Sequence, residues 1–140
     1  MAFSIRLDVK GFDKRIKQLT EEIERHESAK GVLIHSIAEL EAIENKSFKD
    51  TIILMHLKLH NVVDVAAKLN EAGLKVKTDT RIGQRKYDPN DITEIVFYDQ
   101  ENDSKYFKIA RAFNKYNSRL IKEKELINQL LLIEEQSNNN

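Results

Sequence analysis

Apolar residues recur at steps of three and four along most of this chain, and very little interrupts them. That period belongs to helices with one buried face. One proline and four glycines in 140 residues confine the breaks to a few places. Pro89 fits the first turn of a helix, Gly73 the position just past a helix end, and Gly83 a loop. Gly11 precedes a helical pattern. Gly31 falls inside one, where it marks a bend or a break. The expected fold is mainly α, with a small helix-turn-helix core and a basic wing. Long amphipathic helices of coiled-coil or bundle type flank that core.

The first long pattern runs from Phe12 to about Glu44. Phe12, Ile16, Leu19 and Ile23, then Leu33, Ile37 and Leu40, share one heptad register, with His26 and Lys30 on the seam between the groups. One long helix with a weak centre is the preferred reading, and a hairpin near Ser28–Gly31 is the other. Ile16, Leu19, Ile23, Leu33, Ile37 and Leu40 are expected to dimerise the chain. Ahead of this helix Phe3, Ile5, Leu7 and Val9 alternate with polar residues, giving either a short strand or a frayed helix start. Leu74–Thr78, or the same arm of a second chain, is the candidate partner for such a strand.

The middle of the chain, Thr51 to Phe97, is the most organised stretch. Ser47 caps a helix that places Phe48, Ile52, Met55 and Leu59 on one face. Asn61 caps a second, with Val62, Val65, Ala66 and Leu69 inward and Gly73 as its left-handed stop. Leu74–Tyr87 reads as a loose hairpin turning at Ile82-Gly83. It holds Lys75, Lys77, Arg81, Arg85 and Lys86 against the single acid Asp79. Asp88 caps a third helix with Pro89 in its first turn and Ile92, Ile95 and Val96 inward.

After an acidic loop at 98–104, one last helix is expected from Ser104 to about Glu135. Tyr106, Ile109, Phe113, Tyr116, Leu120, Ile127 and Leu130 keep heptad spacing. Phe113, Tyr116, Leu120, Ile127 and Leu130 are expected at a dimer interface, because Leu126–Ile133 is apolar on more than one face. The resulting division is an N-terminal arm and dimerising helix at 1–46 and a helix-turn-helix domain at 47–98. A dimerising C-terminal helix at 104–136 and a disordered tail at 137–140 complete it.

The 23 basic and 23 acidic residues cancel, so a polyanion site must be a local patch. With no cysteine, disulfides, thiolate metal sites and cysteine nucleophiles are excluded. No apolar run approaches the roughly 18 residues that span a bilayer, and the first residues lack a signal peptide's apolar stretch. No membrane partner is expected, and the expected location is the cytoplasm of a bacterium or an infected bacterial cell. No glycine-rich phosphate loop, H-E-x-x-H or G-x-S-x-G occurs, so neither enzyme activity nor a cofactor is expected. His56 and His60 stand at i, i+4 but lack a third metal ligand, and helix surface or core is their expected role.

The string VAAKLNEAGLKVKT…GQRKYDPNDITEIV, at Val65 to Val96, resembles the helix-turn-helix segment of the recombinase domain of large serine recombinases. It also resembles small DNA-binding proteins of phages and other mobile elements. The features that carry the likeness are Leu69-Asn70, Gly73, the basic stretch Lys75 to Lys86, Tyr87, Asp88 and Ile92 to Val96. About 45 residues are covered when the first helix is included. No recombinase catalytic domain is present. The resemblance implies double-stranded DNA binding by a regulator or accessory factor of a phage or mobile element. Lys75, Lys77, Arg81, Arg85, Lys86 and Tyr87 would lie on the backbone, and Asn90 and Thr93 at base edges. A homodimer would read two half-sites. Asp88, Asp91 and Glu94 on the same helix count against phosphate proximity. They favour a second reading, a protein-binding inhibitor or adaptor such as an anti-defence protein with a host protein as partner. A small terminase-type packaging subunit is the third reading.

Overall fold

The structure is a computed structural model and describes residues 10–81 and 83–138. The chain is mainly helical, with a two-stranded antiparallel sheet. Helix α1, Lys10–Ala42, is followed by α2, Phe48–Leu59, and α3, Val62–Glu71. Strands β1, Val76–Lys77, and β2, Gln84–Arg85, form a hairpin, and α4 is Pro89–Phe97. Helices α5, Lys105–Asn117, and α6, Glu123–Asn138, complete the order. The alternating stretch at residues 3–9 lies outside the described residues, as do Ile82 and the last two residues of the tail.

Local chemistry accounts for the boundaries. The Asp50 amide donates to Ser47 Oγ at 3.1 Å and the Val63 amide to Asn61 Oδ1 at 2.8 Å, capping α2 and α3. α4 opens with a reciprocal capping box: the Asn90 amide donates to Asp88 Oδ1 and the Asp88 amide to Asp91 Oδ2, both at 2.8 Å. α3 stops at Gly73, whose φ of 82° places it in the left-handed region. There the Gly73 amide donates to the Asn70 carbonyl and the Leu74 amide to the Leu69 carbonyl, the two bonds of a Schellman close. α1 is one uninterrupted helix, and Gly31 sits in it without a break.

The C-terminal region departs from expectation. It is a helical hairpin, and the single helix expected at 104–136 is corrected to α5 and α6. Arg119 takes a left-handed φ of 62°. The Arg119 amide donates to the Tyr116 carbonyl and the Leu120 amide to the Lys115 carbonyl, a second Schellman close formed without glycine. α6 folds back on α5 and α1. The tail boundary also moves, because Ser137 and Asn138 belong to α6.

One core runs through all six described helices. It includes Leu40 of α1, Ile52, Ile53 and Leu57 of α2, Val65 and Leu69 of α3, and Ile92 and Val96 of α4, with Phe107 and Ile109 of α5 and Leu126, Ile127 and Leu130 of α6. Part of the set expected at a dimer interface lies in this core. Leu40, Ile127 and Leu130 are buried within the chain, and Leu33, Ile37 and Phe113 pack partly buried against the same core. Their heptad spacing reflects an intramolecular bundle. Ile16, Leu19, Ile23, Tyr116 and Leu120 remain exposed.

Two polar features sit in or beside this core. Lys105 Nζ bridges Glu39 Oε1 and Glu134 Oε2, each at 2.8 Å, joining α1, α5 and α6. Burial works to lower the Lys105 pKa, but hydrogen bonds to Glu134 and Glu39 outweigh it and hold the ammonium above its usual range. His56 is buried, with its ring edge-on to Phe97 at 5.0 Å and no hydrogen-bond partner for Nδ1. Burial, helped by His60, depresses its pKa to about 4. His56 is thus a neutral core residue on a helix whose Phe48 and Leu59 are exposed.

Candidate nucleic-acid interface

The five cations of the basic stretch lie on or beside the β1–β2 hairpin, and all five are exposed. Register decides which face each one takes. Val76 pairs with Arg85, and Lys77 with Gln84, so the two pairs point to opposite faces. Continuing the alternation one residue outward puts Lys75 and Lys86 on the face of Lys77. Arg85 lies on the other face with Val76. Arg81 stands in the connecting turn, which closes through the Gly83 amide to the Thr80 carbonyl and the Thr78 amide to the Gly83 carbonyl, both at 2.9 Å.

Arg85 points inward to α4. Its guanidinium grips Asp91 bidentately at 2.7 and 2.7 Å and also donates to the Lys86 carbonyl at 3.0 Å. The hydrogen bond from Arg85 is the largest influence holding the Asp91 carboxyl below its usual range, although burial opposes it. Arg85, expected at the DNA backbone, is thus paired within the chain and fixes the hairpin to the first turn of α4. Lys75, Lys77, Arg81 and Lys86 form no ion pair among the described residues.

Tyr87 is also an anchor. Its amide donates to Asn70 Oδ1 at 2.7 Å, and its carbonyl accepts from Asn70 Nδ2 at 3.0 Å. Its ring stands 6.1 Å from that of Phe48. Burial first, and the nearby Asp91 carboxylate second, raise its phenol pKa. Tyr87, expected at the DNA backbone, is half-buried and forms a joint between the hairpin, α2 and α3. Asn70 is not among the expected site residues, and its partner lies seventeen positions away.

On α4, Asn90 is exposed, while the Thr93 hydroxyl donates to the Pro89 carbonyl at 3.1 Å. That leaves the Thr93 methyl and the acceptor lone pairs of its hydroxyl for an outside contact. Of the three acids here, Asp88 caps the helix and Asp91 is paired with Arg85, so Glu94 alone faces outward without an ion pair among the described residues. The site is a hairpin with a lysine face and an anchored face, set beside the start of a capped helix. Among the described residues no group of three or more His, Asp or Glu side chains could hold a metal, and no helix is long and apolar enough to cross a membrane. Comparison with protein-family models, curated proteins and solved structures finds no match to this chain.

Proposed function

We propose that this protein binds double-stranded DNA through the lysine face of the β1–β2 hairpin, without chemistry of its own. In this reading α2, α3 and α4 act as a helix-turn-helix unit and the hairpin as its wing. One relationship carries the proposal: the strand register, continued one residue outward, sets Lys75, Lys77 and Lys86 on one exposed face of a hairpin whose opposite face is held by Arg85 and whose base is held by Asn70. Cations carried on a held backbone at this spacing suit a run of phosphates. Asn90 would reach a base edge, where its amide matches adenine. Pairing of Asp91 with Arg85 removes the carboxylate most at odds with a phosphate neighbour. The resemblance at Val65–Val96 extends the proposal to a regulator or accessory factor of a phage or other mobile element.

Fluorescence anisotropy with a random duplex at low and moderate salt tests this. Four contacts from Lys75, Lys77, Arg81 and Lys86 predict a log–log salt slope of about −3.6. Changing all four to Ala should abolish binding. Lack of binding at low salt, or binding unchanged in the variant, would overturn the proposal. A protein-binding inhibitor or adaptor is the second reading, and the exposed apolar residues on the first half of α1 favour it.

A further inference from the structure

The first half of α1 is exposed along its length and meets the body through Arg25 and His26, which reach Asn128 and Glu123 of α6. None of residues 10–28 is buried. Its apolar side chains nevertheless form one stripe, with Phe12 66% exposed, Ile16 47%, Leu19 40% and Ile23 62%. The residues that α1 does bury lie further along, at Ala29, Val32, Ser36 and Leu40. At about 100° of turn per residue, the stripe is centred roughly 120° round the helix from that buried face. Arg25, which donates to Asn128 of α6, lies on the buried side. The body therefore leaves the stripe from Phe12 to Ile23 uncovered, and α6 reaches the seam only at His26, which pairs with Glu123.

We infer that a second copy of this chain occupies the stripe, with the two α1 helices antiparallel. The steps of four, three and four between Phe12, Ile16, Leu19 and Ile23 are the d, a, d, a positions of a heptad seam. A two-fold axis between Lys17 and Gln18 sets Phe12 against the partner's Ile23 and Ile16 against the partner's Leu19. All four layers are then filled twice over by the same patch, the mark of an isologous contact. Charge selects the direction. In the antiparallel arrangement Arg15 faces the partner's Glu22, once on each side of the axis, and Asp13 faces the partner's Thr20. In a parallel pair Glu22 would face the partner's Glu27, a repulsion repeated by symmetry. His26, paired with Glu123 of α6, and Lys30 then end the seam.

The paired length is about 24 Å of helix, short of the roughly 800 Å² per partner of a standard interface. Association is therefore weak and reversible. It needs no nucleic acid, so its test stands apart from that of DNA binding.

Sedimentation equilibrium of the full chain, without DNA, from about 5 to about 500 µM should show monomer passing into dimer. Ile16→Glu with Ile23→Glu should remain monomeric throughout and keep the parent melting temperature, since neither residue is in the core. Arg15→Glu should loosen the dimer about tenfold, and adding Glu22→Arg should restore it. Direction is read by a spin label at Lys30→Cys, in a chain with no other cysteine. Antiparallel pairing offsets the two labels by roughly 40 Å, and parallel pairing brings them within about 20 Å. A monomer at the highest concentration, a dimer indifferent to the two glutamates, failure of the charge restoration, or the short label distance would each overturn the inference.

Discussion

The side-chain amide of Asn70 hydrogen-bonds both backbone groups of Tyr87, accepting from its amide at 2.7 Å and donating to its carbonyl at 3.0 Å. A side chain on α3 thereby satisfies a backbone segment leading from the hairpin into α4. No other residue type of that length offers a donor and an acceptor together. Asn70→Ala strands both backbone groups, which are partly buried, and should cost about 2 kcal/mol in urea unfolding. Asn70→Asp keeps the acceptor only and should cost a comparable amount at neutral pH. If Asn70→Ala unfolds like the parent, the clamp does not hold the hairpin.

Arg85 and the hairpin lysines should separate under mutation. Replacing Lys75, Lys77 or Lys86 singly by Ala should leave thermal stability unchanged and reduce the salt slope of DNA binding by about one unit. Arg85→Ala removes the bidentate grip on Asp91, so it should lower the melting temperature while changing the salt slope less. The reverse ordering in melting and anisotropy data would mean that Arg85, and not the lysine face, meets the ligand.

Acid stability should carry the signature of His56. Its folded pKa of about 4 lies below the ordinary 6.5, so the unfolded chain binds the proton more readily. The contribution of His56 is complete above about pH 6.5 and is lost progressively as pH falls towards 4, reaching about 3 kcal/mol. Asp91, depressed by its hydrogen bond from Arg85, loses its contribution only at lower pH. Urea unfolding of the parent and of His56→Leu between pH 7.5 and 4, a range chosen to bracket roughly the two histidine values, separates them. The variant should be flat where the parent declines.

Lys105 holds two carboxylates from different helices with one ammonium. Its side chain is 12% exposed, so its removal falls between the surface and buried limits for broken ion pairs. Lys105→Ala should destabilise by about 2 kcal/mol, because Glu39 and Glu134 are left facing each other. Adding Glu39→Gln should recover part of the loss. Equal melting temperatures for parent and single variant would show that the triad contributes nothing.

Boundaries that rest on neighbours along the chain are legible in the residues themselves. Ser47, Asn61 and Asp88 cap helices within three residues of themselves, and Gly73 is the residue that a left-handed stop prefers. The break after Asn117 is not legible in that way. Arg119 adopts the left-handed turn without glycine, and Tyr116, Leu120 and Ile127 keep heptad spacing across a chain reversal. Periodicity marks apolar faces and does not say what covers them. Leu40 and Leu130 therefore carry the pattern of interface residues while belonging to the core. The cluster of cations is visible in the order of residues from Lys75 to Lys86. The division of labour among them is not, because the partner of Tyr87 lies on α3 and the direction of Arg85 follows from strand register.

The exposed half of α1 has a thermodynamic consequence. It is under twenty residues of helix with no buried side chain, supported by the body only where Arg25 and His26 reach α6, and close to the length of roughly 12–15 residues at which isolated helices are only marginal in water. Its order must be borrowed from whatever lies along it. Ellipticity at low protein concentration should therefore fall short of the helix content of the folded body plus arm, and rise as copies meet. For this chain, circular dichroism doubles as an association assay.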